Sequence, residues 1–118
     1  MKIHLKSVLI WIPLLLLAVP TGAAGVAKLM GVPEIHASFA AMQLPSWFGY
    51  FIGMAEIAGA IGVLLPRLSA LAAICLLPIM LGATYYHLFV DGSSALFAIF
   101  LASLCIVTVF IRRSQAQR

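Results

Sequence analysis

Hydrophobic and polar positions alternate on a long scale along this chain, in blocks rather than residue by residue. Four apolar runs can be drawn, Ser7–Val26, Phe48–Leu65, Leu68–Leu88 and Ser94–Ile111, separated by short polar breaks. At about 1.5 Å of helix rise per residue, each is roughly long enough to cross a hydrocarbon core of about 30 Å. The pattern predicts an all-α integral membrane four-helix bundle with up-down-up-down topology, residues 1–118 forming a single domain.

The breaks differ in kind. Pro66-Arg67 leaves room only for a tight antiparallel hairpin, and Asp91-Gly92-Ser93 reads as a turn. Leu29–Ser46 is the longest connection. Within it Gly31 is a stop signal, and Pro33-Glu34 suits the first turn of a helix, with proline preset for that position and the acid favourable to the dipole. Ile35, Phe39 and Met42 recur at helical spacing, so a short interfacial or re-entrant helix is expected from Pro33 to Gln43, between the first two spans and ended by Pro45. Trp47, Phe48 and Tyr50 then form an aromatic belt at the point of re-entry. Pro13 and Pro20 predict a bend in the first span.

Composition supports the membrane assignment. Of 118 residues, 64% are hydrophobic and 8% charged, against roughly 25% charged in soluble domains. Lys2 and Lys6 ahead of an apolar run, with Thr21-Gly22-Ala23-Ala24 after it, could suggest a secretory signal, but the uncharged run to Ala27 is long for one and the segment is expected to be retained. Alternation of the spans places Lys2, Lys6, Arg67, Arg112, Arg113 and Arg118 on one side and Lys28 on the other, with Glu34 and Asp91. That asymmetry predicts cytoplasmic termini. The basic residues are short flanks of apolar helices, which argues against nucleic-acid binding. Cys75 and Cys105 fall at a common depth; small core residues are the ordinary reading, an intramembrane redox pair the sharper one. No C-x-x-C or other ligand spacing points to a metal.

The candidate chemistry centres on Glu56. A carboxylate at membrane depth is costly and is retained where it faces a bundle interior, a partner or a wet cavity. It lies about eight residues into the second span, roughly 12 Å below the surface at which that span starts. Gly53 and Ala60 flank it at helical spacing, and Gly49-x-x-x-Gly53 marks a face made for close helix contact. Leu76, Met80, Ala83 and His87 share a face of the third span. Lys28 and His87 end their spans on the side where the second begins. The expectation is one network of Lys28, Glu56 and His87 handling a ligand or protons in a pocket open to that side, with Tyr85, Tyr86 and Asp91 as a surrounding layer. The plainer alternatives are a bundle-gluing Glu56, a snorkelling Lys28 and a headgroup-solvated His87. His4 and His36 are expected to be solvated, and Arg112-Arg113 to anchor the last helix.

Four stretches together resemble the DoxX-like membrane proteins. They are Ala24-Gly25-Val26-Ala27-Lys28-Leu29-Met30-Gly31-Val32-Pro33, Gln43-Leu44-Pro45-Ser46-Trp47-Phe48, Gly53-Met54-Ala55-Glu56-Ile57-Ala58-Gly59-Ala60 and Met80-Leu81-Gly82-Ala83-Thr84-Tyr85-Tyr86-His87, in register across residues 10–110. The resemblance implies a four-helix protein of the bacterial inner membrane, with Lys28, Glu56 and His87 at the family's polar positions. It also implies a loose association with redox or stress systems and quinol oxidation. Three functions follow as expectations: a small-ligand or quinone-binding accessory of a redox assembly, a small proton-coupled transporter, or a non-catalytic assembly partner of another membrane protein. Small multidrug-resistance transporters place their glutamate in the first helix and often have weak charge bias, which disfavours the second. The partners expected are lipid, a membrane or periplasmic redox protein and a further copy of the chain.

Overall fold

A computed structural model describes residues 5–116. Lys2, His4 and Arg118, and the side chain of Lys6, lie outside what it describes, so the readings placed on them do too. Among the described residues the fold is helical: α1 (Leu5–Leu29), α2 (Pro33–Ala41), α3 (Phe48–Leu64), α4 (Ser69–Tyr85) continued by a π-helical turn (Tyr86–Val90), and α5 (Leu96–Ala116). The body measures 49 × 25 × 24 Å, close in length to a bilayer with its headgroups.

Three stretches are long and apolar enough to cross a membrane, Ser7–Leu29, Ser69–Val90 and Leu96–Ser114. The fourth, α3, has 17 residues. It packs between α1 and α4, so the predicted bundle is present with a shorter second member. α2 is the expected short helix, with proline at its start, and it packs weakly on α3.

Side chains are sorted as lipid solvent requires. Leu14, Leu17, Val63, Ala73, Leu76 and Cys105 are fully or almost fully buried, while Val19, Leu71, Phe97 and Phe110 face outward. With lipid outside, burial of large apolar groups gains little, so close backbone approach supplies the packing. α1 and α3 show this best. A Cβ at residue 53 would lie 2.8 Å from Lys28 Cβ and 2.9 Å from the Gly25 carbonyl oxygen. One at residue 25 would lie 2.7 Å from the Gly53 oxygen. Only glycine at both positions permits this crossing, and the crossing is what brings Lys28 beside α3.

The tight hairpin predicted at Pro66-Arg67 joins α3 to α4. Its terminal carbonyl problem is solved locally: buried Ser69 donates its hydroxyl to the Val63 oxygen at 2.6 Å. Three boundaries differ from expectation. α1 runs on to Leu29, so Lys28 belongs to its last turn. α5 continues past the two arginines. The third span ends in a π-helical turn, closed by the Asp91 amide donating to the Tyr86 oxygen at 3.0 Å, which breaks the simple periodicity used to align His87 with Met80.

Two local readings are corrected. Arg112 is not a headgroup anchor: it is 8% exposed, with its guanidinium 5.7 Å from the centroid of the Trp11 ring. Cys75 and Cys105 are both free thiols and form no disulfide; Cys105 is the small core residue expected, whereas Cys75 is exposed on α4.

Candidate functional site

Glu56 is 4% exposed, at the middle of α3. The glycine crossing places Lys28 of α1 directly against it, with Nζ to Oε1 at 2.7 Å and side chains 13% and 5% exposed. Lys28 therefore does not snorkel to the headgroups. It supplies the opposite charge that makes a carboxylate tolerable at this depth.

His87 takes a different set of partners. Its Nδ1 lies 2.7 Å from the Ser93 hydroxyl and 3.4 Å from Asp91 Oδ2. Asp91 Oδ1 also accepts from the Ser93 amide at 2.8 Å and the Ser93 hydroxyl at 2.7 Å, an Asx-type turn completed by Gly92 at φ +69°. These bonds, the backbone one foremost, hold the Asp91 carboxyl below its ordinary value. The expected single network is thus two pairs, Lys28–Glu56 inside and His87–Asp91 at the rim.

The two pairs share a cavity. A half-open cleft of about 830 Å³ lies beneath α2, between α3 and α4, with Lys28, Glu56, His87 and Asp91 among its lining residues. Tyr85 and Tyr86 line it as well, and Phe39, Phe48, Met42 and Ile52 give it apolar walls. Its volume is that of a small-molecule site, apolar with a few convergent polar groups. Pro78 and Gly82 open the α4 wall; a Cβ at residue 82 would meet nothing within 4 Å.

The sequence missed His36. It is not solvated but half-buried, its Nε2 2.8 Å from the Lys28 carbonyl oxygen and its ring 4.4 Å from that of Tyr50. It fills the space that Gly49 leaves, where a Cβ would come within 2.5 Å of the imidazole. His36 thereby ties the cover helix α2 to the turn that carries Lys28. The available signal was Gly49 itself, assigned above to helix–helix contact when its neighbour is a loop-helix side chain. Left-handed backbone at Gly31 (φ +78°) and Gln43 (φ +63°) brackets this cover. Among the described residues no group of three or more His, Cys, Asp or Glu could hold a metal ion.

A small, helical, lipid-facing protein with a paired acid and lysine under a cover helix is the class that fold and site define. The sequence profile of the DoxX-like family matches residues 12–110, and the chain belongs to that family. No curated protein and no solved structure gives a significant match.

Proposed function

We propose that this protein binds a small lipophilic molecule with a hydrogen-bonding head, a quinone being the best fit, as an accessory of a membrane redox or stress system. The observation that carries the reading is the buried Lys28–Glu56 pair set into the wall of an otherwise apolar cleft of about 830 Å³. A site that only glued helices together would have no need of the adjoining space. The ring and carbonyls of a quinone suit the residues present: aromatic walls from Phe39, Phe48 and Tyr86, a cationic donor in Lys28, and further donors in Tyr86 and His87. The tail of such a ligand would leave through the half-open side toward lipid.

The positive-inside asymmetry supports an orientation with both termini in the cytoplasm. Arg67 and Arg113 then mark the inner face, and α2, with the mouth of the cleft, the outer one. An inner-membrane location in a bacterium fits this orientation and the family.

The test is titration of the protein in lipid nanodiscs with a short-chain quinone, followed by quenching of intrinsic fluorescence. Saturable binding weakened at least tenfold by Glu56→Gln is expected, since Glu56 holds the Lys28 ammonium in place to donate to a quinone carbonyl, and loss of one such well-placed polar contact costs on the order of 1.4 kcal/mol or more. Absence of saturation, or binding indifferent to Glu56→Gln, rejects the reading.

A further inference from the structure

On the α5 side of the Lys28–Glu56 pair lies a second, smaller chamber of about 170 Å³, half-open like the cleft. It shares Lys28, Glu56, Met80, Ala83 and His87 with the cleft, but its remaining walls come from α1 and α5 rather than from α2 and α3. The ion pair thus lines both spaces.

At the α1 wall of this chamber stands Thr21, wholly buried, with a hydroxyl that has no hydrogen-bond partner among the described residues. Membrane-helix hydroxyls ordinarily bond back to a carbonyl one turn earlier. Thr84 does so to Met80 at 2.8 Å and Ser103 to Ile99 at 2.9 Å. Thr21 makes no such bond. Thr21, Ala24 and Lys28 share one face of α1 by their i, i+3, i+7 spacing, and the small Ala24 leaves room between the hydroxyl and the ammonium. At the other end, Ser94 and His87 bring the chamber to the exposed Asp91–Ser94 turn. The Ser94 oxygen accepts from the Leu96 amide at 3.3 Å, which leaves its own proton to donate.

We infer that this chamber is a hydration site: a short chain of waters held by Thr21, Lys28, Glu56, His87 and Ser94, which connects the ion pair to the outer surface separately from the ligand cleft. The volume is enough for several waters, and Thr21, Lys28, Glu56, His87 and Ser94 supply polar partners along its wall. Water there solvates the pair from behind while the cleft in front holds an apolar ligand. Protons exchanged with Glu56 then travel on the α5 side and do not cross the ligand. The assignment of the front space to a ligand rests on the function proposed above; the hydration of the rear chamber does not.

The test is water-to-methyl magnetisation transfer by NMR on the full chain in nanodiscs, with alanine and threonine methyls labelled. The Thr21 and Ala24 methyls should receive magnetisation from water several-fold more strongly than that of Ala73, which is buried in the core. Saturating the cleft with a short-chain quinone should leave the Thr21 signal in place. Thr21→Val should weaken the Ala24 transfer several-fold while quinone affinity stays within twofold. Ala24→Leu, which fills the chamber from an independent position, should abolish the transfer at Thr21. Methyls at residues 21 and 24 as dry as Ala73, or in contact with acyl chains instead, overturn the inference whether or not quinone binds. Wet methyls without quinone binding uphold the chamber and reject only the ligand.

Discussion

The two polar pairs that line the cleft differ in character. Lys28–Glu56 joins two helices, lies almost out of reach of solvent and closes to 2.7 Å. His87–Asp91 spans a single turn, is about one-third exposed on both sides and sits at 3.4 Å. The first depends on tertiary structure, since glycines at positions 25 and 53 must bring two backbones together before the charges can meet. The second is local, fixed by an Asx turn of its own. The comparison teaches where a charge becomes part of a fold: a buried pair makes each partner the condition of the other, whereas a rim pair trims a loop that would form without it.

The largest test of that contrast removes one charge from the inner pair. Lys28→Met should destabilise by about 3–5 kcal/mol, because it leaves the buried Glu56 without the cation that compensates its burial. Glu56→Gln should cost less, since a lysine at the end of α1 can turn toward the headgroups. The double variant should recover much of the loss of Lys28→Met. Thermal unfolding in detergent reads all three, and a double variant no better than Lys28→Met would show that packing, rather than charge pairing, sets the cost.

Next in size is the helix crossing. Gly53→Val places its side chain against Lys28 Cβ and the Gly25 carbonyl, and should cost about 1–3 kcal/mol while loosening the pair. Gly82→Leu is its counterpart in the cleft. It projects into open space, so stability should hold while quinone affinity falls about tenfold through lost room, about 1.4 kcal/mol. Comparing melting and titration for the two variants separates what the site needs to exist from what it needs to bind.

How much of this was legible beforehand follows the same division. The apolar runs, the proline-led α2 and the placing of Lys28, Glu56 and His87 toward one end of the bundle are one-dimensional properties, and spacing carries them. Helix rotation is not. That Gly53 faces Gly25 while Gly49 faces His36 depends on which way α3 turns about its axis, and a glycine offers no side chain to say so. His36 read as solvated because its partners are a carbonyl of α1 and a ring of α3, neither visible as a pattern. The π-helical turn escaped for a related reason: one extra residue per turn leaves no compositional trace, yet it sets His87 toward Ser93 and Asp91 and not into the inner pair. Arg112 read as an anchor because it stands beside Arg113 at the end of an apolar run; only the packing of α1 against α5 puts it over Trp11 while Arg113 stays exposed.

The smallest expected effect belongs to the rim. The Asp91 carboxyl is held below its ordinary value of 3.8, first by the Ser93 amide and then by the Ser93 hydroxyl. A carboxyl with a depressed folded value stabilises above its unfolded value and loses that contribution as pH falls through the folded one. The carboxylate's contribution to the turn is therefore in place at neutral pH, begins to fall near pH 4 and is lost in stronger acid. Asp91→Asn should lower the melting temperature at neutral pH by less than Lys28→Met, Glu56→Gln or Gly53→Val, since an exposed pair is screened by solvent. The difference from wild type should shrink below pH 3.8 as the native carboxyl takes up its proton. The Ser93 amide chemical shift followed through the acid range reads the turn directly. A titration seen there and not at Glu56 or Lys28 keeps the two pairs independent, whereas a response of the inner pair in step with Ser93 would join them across the cleft.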